Sequence, residues 1–235
     1  MAAEQRPVMK VIARIRSEFP EKFGIPRQSG LTPHLYARVV FEKEYRNNEA
    51  LRGLEGFDYL WLIWEFSENI RETWSPTVRP PRLGGNTRLG VFATRSPFRP
   101  NPIGLSSVRL ERIEHDPENG PTLLISGADL MDGTPIYDIK PYIPYTDAHP
   151  DAAGGFAAEP DKTLAVVFSQ DLLRRLPERH HAAIHEVLAQ DPRPSYRADG
   201  EREYGLFFAG FNIRFHVQKG ILTVTDVQKI PEGQK

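Results

Sequence analysis

A run of arginines between positions 71 and 112 offers the most chemistry in this sequence. It holds eight arginines, no lysine and two glutamates, a local net charge of +6 in a chain whose formal net charge is −1. A guanidinium binds phosphate or carboxylate through two hydrogen bonds and also stacks on bases, which favours an anion-binding face. The alternative is a solvated surface with scattered ion pairs. The arginines are Arg71, Arg79, Arg82, Arg88, Arg95, Arg99, Arg109 and Arg112.

Residues 94–104, TRSPFRPNPIG, form the densest part of this region. Three prolines in eleven residues restrict the backbone, and Arg95, Arg99 and Asn101 project from it. A stiff loop holds polar groups with little loss of entropy on binding. The segment therefore predicts a preformed polar binding loop, with a structural turn between strands as the alternative.

Residues 129–138, DLMDGTPIYD, place three carboxylates around a glycine and a proline. Asp129, Asp132 and Asp138 could bind a metal, but the spacing of an EF-hand and its closing glutamate are absent, so we predict no metal. Paired acids can also accept hydrogen bonds from ribose hydroxyls or from an amine. An ordinary turn after a strand remains a further interpretation.

Other catalytic signatures are missing from the sequence. It contains no G-x-G-x-x-G, Walker A, H-E-x-x-H or G-x-S-x-G motif, so a Rossmann-type nucleotide site is not indicated. The absence of cysteine excludes thiolate metal sites and a cysteine nucleophile. Trp61, Trp64 and Trp74 are predicted to be core residues rather than a base-stacking surface.

Short apolar and β-branched segments separated by long loops predict a mainly β protein, a barrel or a sandwich. Tyr59–Phe66 is almost continuously apolar, which predicts a strand buried on both faces, with a short buried helix as the alternative. A helical turn is predicted at Asn47–Leu51, and long loops at Ser17–Gly30 and Ser75–Gly90. The other predicted strands are Val8–Ile15, Arg38–Phe41, Leu89–Thr94, Leu105–Ile113, Thr122–Ser126 and Ile136–Tyr142.

The aperiodic segment Pro141–Pro160 is interpreted as a boundary between two domains, residues 1–160 and residues 161–235. The second would be a small α+β unit. It is predicted to contain a strand at Leu164–Phe168, helices at Asp171–Leu176 and Pro177–Gln190, and a hairpin of Phe211–Val217 with Ile221–Val227.

The bulk composition is that of an ordinary soluble globular protein, with 40% hydrophobic and 26% charged residues. The first residues contain no apolar h-region, and the longest apolar run, Tyr59–Trp64, is far too short to cross a membrane. We therefore expect a cytoplasmic protein without a membrane association.

Several long strings together resemble one family. RPPRLGG from Arg79, VFATRSPFRPNPIG and DLMDGTPIYDIKPY are similar to the TrmO-type tRNA methyltransferases, and so are EKFGIPRQSG and RGLEGFDYLWLIW further upstream. PRPSY and EYGLFFAGFNIRF resemble the C-terminal unit of the bacterial members.

The resemblance implies a fold and an activity. The fold would be a single-β-barrel methyltransferase domain followed by the small α+β domain. The enzyme would be a homodimer that uses S-adenosylmethionine to methylate N6 of threonylcarbamoyladenosine at position 37 of threonine tRNA. A non-catalytic tRNA-binding module, a methyltransferase with a different acceptor and a metal-dependent hydrolase built on the three aspartates remain as alternatives.

The resemblance also implies site residues, although it identifies no general base. Ser67 and Glu68 stand where some relatives resemble His-Gln, and Ser29 stands where a proline is expected. We further expect tRNA to be held by Arg79, Arg82, Arg99 and Asn101. Arg95 would pair with the cofactor carboxylate. The implied cofactor contacts are Pro26, Arg27, Gln28, Ser67, Glu68, Arg95, Leu105, Asp129, Leu130, Met131 and Asp132.

Overall fold

The computed structural model describes residues 8–194 and 200–231 of the chain. In its N-terminal part, six strands form one sheet that closes on itself. The strands are β1 (Ala13–Arg16), β2 (Tyr36–Phe41), β3 (Tyr59–Glu65), β6 (Ile103–Asp116), β7 (Gly120–Ser126) and β8 (Pro135–Pro141). Their order around the ring is β1-β2-β7-β6-β3-β8. Every pairing in this ring is antiparallel.

The ring closes through the short pairing of β1 with β8, in which Ala13 lies opposite Ile136. On the other side, β3 pairs with both β6 and β8, so that Glu65 lies opposite Ile103 and Trp64 opposite Ile136. The end of β3 and the beginnings of β6 and β8 therefore meet at one rim. Functional loops that leave this rim are held by three paired strands.

The interior of the ring is filled by side chains that alternate along the strands, as the period of two requires. Leu60 and Leu62 of β3 are fully buried, and Trp64 is 7% exposed. The prediction that β3 is buried on both faces is wrong, because Trp61 and Ile63, which point away from the ring, are only half-buried. One face of this apolar strand is therefore buried inside the ring, and its other face is only partly covered by loops.

The long loops hold little regular structure. A two-stranded ribbon pairs β4 (Thr77–Val78) with β5 (Leu89–Gly90). The predicted strand Leu89–Thr94 is wrong beyond Gly90, since Val91–Ala93 forms a 3-10 turn. Asn48–Leu51 is a 3-10 helix, which confirms the helical turn predicted there.

The C-terminal part is a four-stranded sheet with helices packed on it. The elements are β9 (Ala165–Val167), α2 (Gln170–Leu173), α3 (His181–Ala189), β10 (Gly200–Phe208), β11 (Phe211–Gln218) and β12 (Ile221–Lys229). The short helix α1 (Pro144–Asp147) precedes this unit and contacts β3, where Asp147 Oδ2 accepts a 2.8 Å hydrogen bond from Trp61 Nε1. The sheet order is β10-β11-β12-β9. The predicted strands and the hairpin are confirmed there, whereas β10 and α1 were not predicted. A separate 3-10 turn, Glu178–His180, precedes α3.

The loop between β1 and β2 packs into the C-terminal core. Phe19 is fully buried against Phe208, with ring centroids 5.4 Å apart. Gly24 has a φ of +88°, and a Cβ built on it would lie 2.1 Å from Leu206 Cδ1, so both the backbone and the packing require glycine there. The loop is thereby anchored before it reaches Pro26.

The proposed division at residue 160 stays a prediction. Both predicted domains include residues outside the described ranges, as does the end of the PRPSY motif. Within residues 8–194 and 200–231, no helix has the length and apolar character needed to span a membrane.

Candidate active site

A cleft of about 770 Å³ opens at the rim where β3 ends and β6 and β8 begin. Its lining comes from five separate stretches of chain: the β1–β2 loop, the end of β3, the proline-rich loop before β6, the start of β6 and the loop before β8. Small-molecule sites are concave and usually measure a few hundred to about 1,000 Å³. The cleft therefore has the size of a cofactor site.

Asp129 is a half-buried acid of the cleft. Ser106 Oγ donates a 2.6 Å hydrogen bond to Asp129 Oδ1 and accepts one of 3.0 Å from Trp64 Nε1. Burial raises the pKa of the Asp129 carboxyl; the Ser106 hydroxyl, the charge of Arg95 and the Ser29 backbone N–H oppose this shift. A half-buried carboxylate that lines the cleft is suited to binding a cationic ligand group.

Arg95 is one of the cations that line the cleft. Its Nη1 donates to Gln28 Oε1, which joins two predicted cofactor residues from distant parts of the chain. The neighbouring Arg99 donates from Nη1 to the carbonyl oxygen of Thr94 at 3.1 Å, and this bond stiffens the proline-rich loop. Arg95 is exposed at the cleft and is therefore available to a ligand carboxylate.

Most of the residues implied by the resemblance meet in this cleft. Leu105 is 54% exposed there, although it is an apolar residue on a strand. The tRNA candidates Arg99 and Asn101 line the same cleft. The cofactor candidates that line it are Pro26, Arg27, Gln28, Ser67, Glu68, Arg95, Leu105, Asp129 and Met131.

Two of the implied cofactor residues lie elsewhere. Leu130 is 1% exposed and belongs to the core of the strand ring. Asp132 Oδ1 accepts a 3.1 Å hydrogen bond from the Ser17 backbone N–H, and its Oδ2 lies 3.6 Å from Arg16 Nη1. Asp132 therefore fastens the loop before β8 to β1, and the cofactor roles of both residues stay predictions.

Glu65 is a polar residue of the cleft that the sequence reasoning missed. Tyr137 of β8 hydrogen-bonds to it, and burial together with this acid raises the pKa of Tyr137 to about 12. The position of Glu65, an acid at the end of an apolar strand, was a signal in the sequence for a polar residue of the site. Ser67 and Glu68 follow it in a 3-10 turn, where the Glu68 carbonyl accepts from Lys22 Nζ at 2.9 Å.

A larger groove of about 2640 Å³ adjoins the cleft. The two cavities share Arg27, Gln28, Phe92, Arg95 and Arg99 in their lining. Six of the eight clustered arginines line the groove, as do Lys162 and Arg193, against the acids Glu72, Glu159 and Asp161. These six arginines are Arg71, Arg79, Arg82, Arg88, Arg95 and Arg99.

The other two arginines of the cluster lie outside the groove. Arg109 Nε is 3.8 Å from Glu111, and Arg112 Nη2 is 2.5 Å from Glu114. Both belong to β6 beyond the rim, where the neighbouring acids neutralise them. The expected single arginine face is therefore confined to the loops before β6.

The connector before β9 forms one wall of the groove. Asp161 contacts two of the candidate arginines: Arg27 Nη1 at 3.1 Å and Arg82 Nε at 3.3 Å. Arg82 also donates from Nη2 to the carbonyl oxygen of Glu159. Arg79 is exposed and also lines the groove.

The three aspartates of the alternative metal site do not come together. Asp129 bonds Ser106, Asp132 contacts Arg16, and Asp138 Oδ2 lies 3.0 Å from Lys140 Nζ. No cluster of three metal-binding side chains occurs among the residues that the structure describes.

Comparison with known proteins adds two family matches and several relatives. Residues 14–148 match the tRNA-methyltransferase O N-terminal domain, and residues 161–230 match the TrmO C-terminal domain. A protein of Escherichia coli K12 named tRNA (adenine(37)-N6)-methyltransferase is 44% identical over 88% of this chain and 91% of its own length. An Eikenella corrodens protein of the same name is 46% identical over 74% of this chain and 98% of its own length.

A crystal structure of TrmO from Pseudomonas aeruginosa superposes with a TM-score of 0.78 at 36% identity, covering 97% of this chain and all of that one. The strand ring, the cleft at its rim and these matches define a methyltransferase-type fold. The chain belongs to the tRNA-methyltransferase O family.

Proposed function

We propose that this chain transfers a methyl group from S-adenosylmethionine to N6 of adenosine 37 in tRNA, with threonylcarbamoyladenosine of threonine tRNA as the acceptor. One observation carries the proposal: an acid, a cation and apolar walls from distant segments meet in one cleft that opens into a basic groove. The relatives named tRNA (adenine(37)-N6)-methyltransferase support the same reaction. As a member of this family, the chain is an S-adenosylmethionine-dependent tRNA methyltransferase.

The residues of the cleft fit S-adenosylmethionine group by group. In this proposal Arg95 binds the methionine carboxylate, and the half-buried carboxylate of Asp129 binds the ammonium group; both residues line the cleft. Leu105 and Met131 offer apolar surface to the adenine ring. Ser67 and Glu68 add polar groups at the edge of the cleft.

When bound, S-adenosylmethionine supplies a methyl group on a positively charged sulfur. The protein contributes orientation, because the carboxylate and ammonium contacts fix the direction of the methyl group relative to the groove. The Trp64–Ser106–Asp129 hydrogen bonds hold the acid in one rotamer. The target adenosine would have to leave its stack to enter the cleft.

The groove is proposed to hold the tRNA backbone. In this proposal Arg79, Arg82 and Arg99, which line the groove, bind phosphates, and Asn101 adds a polar group in the lining of the cleft. Phosphate contacts supply most of the sequence-independent affinity for nucleic acid. The cytoplasmic location expected from the composition and the homodimer implied by the resemblance are part of the proposal and are tested by fractionation and by sedimentation.

The first experiment titrates S-adenosylmethionine into the purified protein by calorimetry. Next, radiolabelled cofactor is incubated with threonine tRNA that carries or lacks the threonylcarbamoyl group, and nuclease digests locate the label. Label at position 37 of the modified tRNA alone supports the full proposal. Label on another RNA would favour the different acceptor, and tRNA binding without cofactor binding would favour the non-catalytic module.

A further inference from the structure

Two large aromatic side chains are exposed side by side in the loops before β6. Trp74 is 51% exposed and Phe92 is 72% exposed. Their ring centroids are 6.1 Å apart, with 31° between the ring planes. This placement corrects the expectation that Trp74 is a core residue. Neighbouring exposed rings form an apolar surface that is unfavourable in water and commonly marks a binding site.

The pair lies in the wall of the basic groove, and Phe92 also lines the smaller cleft. Phe92 therefore stands where the two cavities join. A flat group stacked on this ring would lie at the entrance of the cleft, next to Arg95 and Arg99.

The charge of the groove around the two rings indicates which class of ligand binds there. The groove presents six of the clustered arginines and three further cations, Arg27, Lys162 and Arg193, against three acids. A second copy of this chain docked by the same face would bring an equally cationic groove against it, and like charges repel. Single-stranded nucleic acid has the complementary pattern, because it offers anionic phosphates and unpaired flat bases together.

We propose that Trp74 and Phe92 stack on unpaired nucleobases of the RNA substrate and so place the nucleotides beside the target adenosine at the entrance of the cleft. This inference rests on the proposed function. The arginines bind the phosphates, the two rings bind the bases, and the RNA strand is held at both its backbone and its bases.

The test measures tRNA binding and methyl transfer for Trp74→Ala, Phe92→Ala and the ring-retaining Trp74→Phe. Each alanine variant is expected to raise the Kd for tRNA about tenfold, while Trp74→Phe stays close to wild type. The slope of log Kd against log salt concentration should stay unchanged in the two alanine variants. In Arg79→Ala the slope should fall by about one, which corresponds to the loss of one phosphate contact. Tyr145→Ala is the matched control, since Tyr145 is 91% exposed but lies outside both cavities.

Tryptophan fluorescence gives a direct readout of stacking. Trp64 is buried and the half-buried Trp61 lines neither cavity, so quenching by bound tRNA should come mainly from Trp74 and should disappear in Trp74→Phe. Unchanged tRNA affinity in both alanine variants would overturn the proposal. A shift to a smaller species in sedimentation, seen with Phe92→Ala and not with Tyr145→Ala, would also overturn it and assign the rings to contact between copies.

The two proposals can fail separately. If wild-type protein binds tRNA with quenching of Trp74 but transfers no methyl group to it, the proposed function fails and the stacking surface stands. If methyl transfer occurs and the alanine variants keep the wild-type KM for tRNA, the stacking surface fails and the proposed function stands.

Discussion

Ser106 Oγ donates a 2.6 Å hydrogen bond to Asp129 Oδ1 inside the cleft. Because Trp64 Nε1 donates to the Ser106 hydroxyl oxygen, the Ser106 hydroxyl proton is directed at the Asp129 carboxylate. The acid is thus oriented by β3 and β6, although it lies after β7. This relay joins the core of the strand ring to the candidate cofactor site.

Asp129→Asn is expected to weaken S-adenosylmethionine binding about tenfold or more, because hydrogen bonds to charged groups contribute about 1.5–3 kcal/mol. Asparagine keeps an oxygen that can accept from Ser106, so the local geometry should be preserved. Calorimetric titration at neutral pH measures the change. Unchanged affinity would remove Asp129 from the cofactor site.

The difference in stability between Asp129→Asn and wild type should depend on pH. Burial raises the pKa of Asp129 above its ordinary value of 3.8. A carboxyl with a raised pKa contributes to stability below its unfolded value, and this contribution is lost as the pH rises through the folded value. Asp129→Asn stays neutral, so its Tm relative to wild type should increase from about pH 4 to pH 7. A Tm difference that falls over this range would contradict the burial argument.

Arg95→Ala is expected to weaken cofactor binding about tenfold, because it removes the charged donor proposed for the carboxylate. Arg109→Ala is the matched control, since Arg109 belongs to the same arginine cluster but contacts Glu111 outside the groove. Both variants are titrated with S-adenosylmethionine. Equal affinities for the two variants would show that Arg95 has no role in binding the cofactor.

Gly104→Ala should disturb both the core and the cleft. A Cβ at Gly104 would lie 2.2 Å from Trp64 Cε2, and this indole is buried. Overpacking of this kind costs about 1–3 kcal/mol of unfolding free energy. Gly90→Ala is the control, because a Cβ at Gly90 would meet nothing within 4 Å beyond its own chain neighbours. Denaturant unfolding compares the two, and equal stabilities would contradict the close packing of Trp64 on Gly104.

Asp161→Asn should strengthen tRNA binding, most clearly at low salt. The carboxylate neutralises Arg27 and Arg82, and its loss makes both guanidinium groups available to phosphates. All three side chains are at least 28% exposed, so the stability should change by less than about 1 kcal/mol.

The control for this variant is Asp171→Asn, in which the lost partner is Arg174 and the acid is 92% exposed. Filter binding across a salt series separates the two. Weaker tRNA binding by Asp161→Asn would mean that the ion pairs hold the groove in its binding shape.

Much of the fold could be predicted because strands with one buried face leave a local pattern. Phe211–Gln218 alternates in the sequence as it does in the structure, whereas Tyr59–Glu65 is almost continuously apolar and alternates only in its burial. The 3-10 turn Val91–Ala93 was mistaken for a strand because its apolar residues carry no periodicity that distinguishes the two. The proline-rich loop before β6 was predicted as a binding loop, and it lines the cleft.

The sequence by itself determined the residue types of the site, its concentration of arginine and the family to which the chain belongs. Only the tertiary structure decided which of these residues meet. Gln28 and Arg95 are 67 positions apart and touch, whereas Arg109 is turned away by the direction of β6, and Leu130 is buried beside the exposed cleft. Such contacts depend on how the ring of strands closes and where its loops are anchored. Local sequence carries little information about either, because both arise from packing between distant segments.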